Sequence, residues 1–167
     1  MDMTPAQQTA LRNDVIADPV LNALPHTGDS AFAIADAYKV IVTPAYFVWR
    51  TLISEHEIVD STSAQGTVWS WPAYISRSVG EQAGWTRMFN GTFTVNPSLA
   101  QVRQGFADIF SGGTGSAQRA HLLAVGQRQA NRAEKLFASG AGTQASPSTM
   151  TFEGVLSYLQ VMQAMGW

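Results

Sequence analysis

The chain contains no cysteine. That excludes a disulfide framework and a thiolate metal site, and it leaves the compartment unread from redox chemistry. Charge is scarce too: Asp, Glu, Lys and Arg together make 13% of the residues, about half of the roughly 25% usual in soluble domains. A free monomer carries charge over most of its surface. The shortage points either to a surface covered in an assembly or to one built from Ser, Thr, Gln and Asn. The charge that is present sums to −2, without the basic excess of a nucleic-acid-binding face. Arg119, Arg128, Arg132 and Lys135 do cluster, but Glu134 is interleaved among them, so DNA contact is not indicated. No apolar run approaches the roughly 18 residues of a membrane span, and no leader pattern opens the sequence, so neither a membrane nor a secretory route is expected.

At 167 residues with 46% apolar side chains, the chain is long enough for one domain with a real core. Its central stretch, Pro97 to Ala138, reads as three short helices parted by glycine-rich turns. Leu99, Val102, Phe106, Ile109 and Phe110 recur at steps of three and four, which puts them on one helical face. Ser98 with Gln101 has capping-box spacing, and Ser111-Gly112-Gly113-Thr114-Gly115 stops the helix. Ser116 opens the second helix, and Asn131 with Glu134 opens the third, which is expected to run to Gly140. The same start signals recur at Thr4-Pro5-Ala6-Gln7, Ser54 to Glu57, Ser78 to Glu81 and Ser157 to Gln160. Val68-Trp69-Ser70-Trp71 alternates like a strand. The fold expected is therefore all-α: a bundle of short helices, a small β-hairpin, and an extended C-terminal arm. The corresponding division is a helical domain over 1–140, a flexible linker over 141–149 and the arm over 150–167.

A hydrolase needs a nucleophile beside a base, yet no Gly-x-Ser-x-Gly elbow occurs. His26, His56 and His121 read as surface or capping residues. A lysozyme-like enzyme needs a carboxylate pair, for which Glu81 and Glu134 are the loosely fitting candidates; both are explained as helix-start residues. A metal could use His56 with Glu55, Glu57 and Asp60, but His-Glu-x-x-His is absent. Glycines 112–115 lack the lysine of a phosphate loop. The pattern calls for no cofactor, no metal and no catalytic residue. The aromatic residues are a different matter. Trp69, Trp71 and Trp167 stand in irregular or end positions and are expected to contact a partner, since aromatics anchor interfaces.

Arg132-Ala133-Glu134-Lys135-Leu136-Phe137-Ala138-Ser139-Gly140, then Gly142, Ala145-Ser146-Pro147, Thr149, Phe152-Glu153-Gly154 and Ser157-Tyr158, resembles small structural proteins of tailed bacteriophages. Asp18-Pro19-Val20, Val48-Trp49-Arg50 and Ser78-Val79-Gly80 extend the likeness along nearly the whole chain, and Trp69 to Phe93 departs from it. Among such proteins the chain is most similar in kind to the head-completion or neck adaptor proteins. The resemblance implies a non-enzymatic ring, dodecameric to match the portal, that binds portal protein and tail or nozzle proteins. It also implies a place in the neck of the virion after synthesis in the host cytoplasm. A tail-tube or capsid-cementing component is the alternative. In the adaptor reading the arm docks on the portal through Phe152, Tyr158, Met162, Met165 and Trp167.

Overall fold

Side-chain caps decide where most of the helices begin. The computed structural model describes residues 3–167. In chain order it contains α1 (Pro5–Ala17), α2 (Pro19–Asn22), α3 (Gly28–Ala37), β1 (Phe47–Trp49), β2 (Ile53–Ser54), α4 (Glu55–Asp60), α5 (Trp71–Ile75) and α6 (Val79–Phe89). There follow β3 (Thr94–Val95), α7 (Ala100–Ile109), a 3-10 turn (Gly113–Gly115), α8 (Ser116–Val125), β4 (Gln127–Gln129), α9 (Arg132–Leu136), β5 (Ala138–Ser139), β6 (Thr149–Met150) and α10 (Tyr158–Met165). The fold is helix-dominated, about 52% helical, and among the described residues its sheets are two-stranded, so it is less purely α than expected. Full capping boxes form at Thr4/Gln7, Ser78/Glu81, Asn131/Glu134 and Ser157/Gln160. Each satisfies backbone N–H groups that a helix start leaves bare.

The chain divides into two compact units: residues up to Val48 with Gln129–Trp167, and Trp49–Arg128. This differs from the 1–140, 141–149 and 150–167 division expected from composition. In the first unit α10 packs on α1 and α3. Its Val161 and Ala164 join Leu11, Val15, Ile34 and Leu156 in one buried core. The stretch expected as an extended arm thus ends in a helix, α10, whose Val161 and Ala164 are buried in that core. Residues 141–149 are tied as well. The Phe47 N–H donates to the Gly142 carbonyl at 2.7 Å, and the Ser148 N–H donates to the Phe47 carbonyl at 2.9 Å.

Charge in the first unit is gathered on Arg132. Its guanidinium donates to Asp14 and Asp18, each at 2.8 Å, and lies 4.5 Å over the Tyr38 ring. The Tyr38 hydroxyl donates to the same Asp14 oxygen as Arg132. Burial first, and then the Asp14 carboxylate, raise the Tyr38 hydroxyl well above the usual phenol range. The Arg132 bond first, and then the Leu21 N–H, hold Asp18 below the usual carboxylate value. Burial works against the Arg132 charge, but its two carboxylates outweigh that and raise its pKa.

In the second unit β2 pairs antiparallel with β3, Ile53 opposite Val95 and Ser54 opposite Thr94. Ile58, Trp69, Trp85, Phe89, Phe106, Phe110 and Leu122 form the core. The face expected for α7 is buried at Phe106, Ile109 and Phe110, while Leu99 is exposed. The Ser98 capping box does not form, because the Asn96 Oδ1 takes both the Ser98 N–H, at 2.9 Å, and the Ser98 hydroxyl, at 2.6 Å. The expected strand at Val68 to Trp71 is absent: Ser70 caps α5 and Pro72 lies in its first turn, where proline suits a helix start.

His121 also departs from expectation, being fully buried. Its Nε2 donates to the Ile58 carbonyl at 2.7 Å, and its Nδ1 pairs with the Thr67 hydroxyl at 3.1 Å. Gln118, His121, Leu122 and Val125 form a buried stripe of α8, at helical steps of three, one and three.

Candidate interaction site

In the second unit a short ladder and a strained residue hold an aromatic ring in solvent. The turn at Asn90-Gly91 follows α6, and Phe93 then adopts φ +53°, a left-handed conformation that bulky residues avoid. Its backbone is fixed from both sides: the Phe93 N–H donates to the Phe89 carbonyl at 2.9 Å, and the Glu55 N–H donates to the Phe93 carbonyl at 3.0 Å. The ring is nevertheless 71% exposed. Strain retained at an exposed aromatic points to a task other than folding. Replacing Phe93 with Asn, which tolerates this conformation and loses little burial, is expected to raise stability by about 1 kcal/mol in urea unfolding. An unchanged or lower midpoint would refute the strain.

Trp71 is the second exposed ring, at 53%. It meets Trp69 edge-on at 5.8 Å and Tyr74 at 5.9 Å. Trp69 in turn packs against Trp85 at 4.9 Å and against Phe110 at 5.8 Å. Trp71 is therefore the outer end of an aromatic stack rooted in the core, which keeps it rigid at low entropic cost.

Beside these rings lies a cleft of about 210 Å³ lined by Glu55, Trp71, Tyr74, Trp85, Thr86, Phe89, Asn90 and Phe93. A neighbouring one of about 360 Å³ is lined by Ser54, Glu55, His56, Val59, Asp60, Trp71 and Phe93. Glu55, Trp71 and Phe93 line both. Glu55 is held in place by the Trp85 Nε1–H, which donates to its Oε1 at 2.8 Å. His56 pairs with Asp60 at 3.0 Å, and Glu57 with Arg50. Of the four residues considered for a metal, His56 and Asp60 thus pair with each other, while Trp85 and Arg50 engage Glu55 and Glu57.

The other expected contact residues are placed as follows. Trp69 is buried within the aromatic stack, and Phe152 is buried against Phe137 at 5.4 Å in the first unit. Packing claims both, so neither offers a free contact surface. Met162 and Met165 are half-buried on the first core. Tyr158 stacks on the exposed Phe32 at 4.2 Å, and Trp167 on His26 at 4.9 Å. Only Trp71 of the expected set reaches the cleft. Phe93 and Glu55 line it as well, and nothing in the sequence spacing marks them for that place.

The two carboxylates considered for hydrolysis lie in different units. Glu81 accepts from the Ser78 N–H and hydroxyl, which hold its pKa down. Glu134 is buried and accepts from the Asn131 and Gly154 N–H groups. Of the basic candidates, Arg132 serves its two aspartates and Arg119 donates to the Phe110 and Gly112 carbonyls. Neither family models, nor curated proteins, nor solved structures give a match to this chain.

Proposed function

We propose that the chain is a structural protein of a tailed-bacteriophage virion, an adaptor that works by contact rather than catalysis and meets its partner through the Trp71–Phe93 cleft. The observation that carries this reading is the pair of exposed aromatic rings beside one cleft, one of them held out at a cost in backbone strain. Aromatic anchors of this kind dominate interface energies. The sparse charge and the phage-like pattern from Arg132 to Tyr158 support the same reading. Among the described residues no helix is long and apolar enough to cross a membrane.

In this proposal the subunits form a ring beneath the portal in the virion neck, facing tail or nozzle proteins. The contact does not depend on a free C-terminal arm, because α10 belongs to a core. Deleting residues 147–167 would unfold the first unit rather than strip a tether.

The test is mass by light scattering, with the protein alone and then mixed with portal from the same phage. Joining the portal as a ring is the expected outcome. Trp71→Ala should weaken that association by roughly 2–4 kcal/mol while circular dichroism stays unchanged. A chain indifferent to portal but captured by tail-tube or capsid protein would favour the tail-tube or cementing alternative.

A further inference from the structure

The cleft is not merely apolar: a carboxylate stands among its rings. We infer that it takes a cationic side chain, arginine or lysine, presented by a partner protein. The inference rests on the cleft being a contact face, but not on which particle the contact builds.

Three observations lead there. First, Glu55 lines both clefts, and among the described residues no basic side chain pairs with it. Covering it with an apolar partner surface would bury a charge that only the Trp85 N–H compensates, which is unfavourable. A cation removes that penalty. Second, the neighbouring walls are Trp71, Tyr74, Trp85 and Phe93, whose ring faces attract cations. Third, the chain already contains the completed arrangement elsewhere. In the first unit an aromatic donor, the Tyr38 hydroxyl, is bonded to the Asp14 carboxylate, and Arg132 both bonds that carboxylate and lies over the ring. In the cleft an aromatic donor, Trp85 Nε1, is bonded to the Glu55 carboxylate. Two of the three parts are present, and the missing part is the cation.

The full chain is titrated at low salt with acetyl-Gly-Arg-Gly-amide and with the same peptide carrying citrulline, which keeps the shape and loses the charge. The indole N–H signals of Trp71 and Trp85 are followed by NMR. The arginine peptide is expected to bind saturably and about tenfold more tightly than the citrulline peptide. Added salt should reduce that preference. Glu55→Gln, which retains an oxygen for Trp85, should abolish it. Equal binding of the two peptides, no saturable shift with either, or a preference that survives Glu55→Gln would each overturn the inference. The peptide and salt comparisons use the unaltered chain, so they decide the matter even if the variant fails to fold. A chain that ignores the arginine peptide yet joins the portal through Trp71 would overturn the cation and leave the contact reading intact.

Discussion

Replacing Glu134 with alanine is expected to cost the first unit about 4 kcal/mol, the largest loss from any single side chain discussed for this protein. Glu134 is 1% exposed. Its Oε2 accepts from the Asn131 N–H at 3.1 Å and its Oε1 from the Gly154 N–H at 2.8 Å. Asn131 answers in kind: its Oδ1 accepts from the Glu134 N–H at 2.8 Å, and its Nδ2 donates to the Gly154 carbonyl at 2.8 Å. The pair caps α9 and clamps the turn at Gly154, whose φ of +104° only glycine holds without strain. Alanine would strand two backbone donors, each costing about 1–3 kcal/mol when buried without a partner. Glutamine keeps one acceptor oxygen, so Glu134→Gln should lose about half as much. Urea unfolding checks both. A loss below about 1 kcal/mol for alanine would mean that water reaches these donors and that the clamp contributes little.

The second unit has its own sensitive point at Gly115. A Cβ there would lie 2.1 Å from the Phe110 carbonyl oxygen and 2.4 Å from its carbon. The obstacle is backbone, and that backbone is pinned: Phe110 is fully buried, its N–H donates to the Phe106 carbonyl at 3.1 Å, and its carbonyl accepts from Arg119. Relief would require moving α7 against the 3-10 turn that leads into α8. Gly115→Ala is therefore expected to lose about 3 kcal/mol, at the upper end for overpacking. Gly113 makes the control: a Cβ there meets nothing within 4 Å, so Gly113→Ala should stay within about 0.5 kcal/mol of the unaltered protein. Thermal melts of the two variants side by side test the contrast, and equal midpoints would refute it.

Much of the local structure was legible because its causes are local. Thr4, Ser78, Asn131 and Ser157 start helices through partners three residues away, so spacing alone reveals them. The Ser98 cap failed to appear because Asn96, two residues earlier, competes for the same groups. The stripe of Gln118, His121, Leu122 and Val125 was there to be read, and the polar character of two of its members obscured it. The turn before β6 could not be read at all. Gly142 and Ser148 look like a polar linker, and their partners, Tyr46 and Phe47, lie far back in the sequence. At the cleft, alternation would put Phe93 and Val95 on one face. The left-handed turn at Phe93 breaks that phase and leaves Phe93 exposed while Val95 is buried.

The second unit is one uninterrupted segment, whereas the first is assembled from both flanks of it. A ribosome delivers these pieces in a fixed order. Leu11, Val15 and Ile34 emerge early, but the Leu156, Val161 and Ala164 that cover them come only after the whole intervening unit. At roughly 5–20 residues per second, that interval is on the order of ten seconds. During it the second unit can close while the apolar faces of α1 and α3 stand uncovered. Substitutions on those faces therefore burden the nascent chain as well as the finished fold, while changes such as Gly115→Ala act within a segment that is already complete.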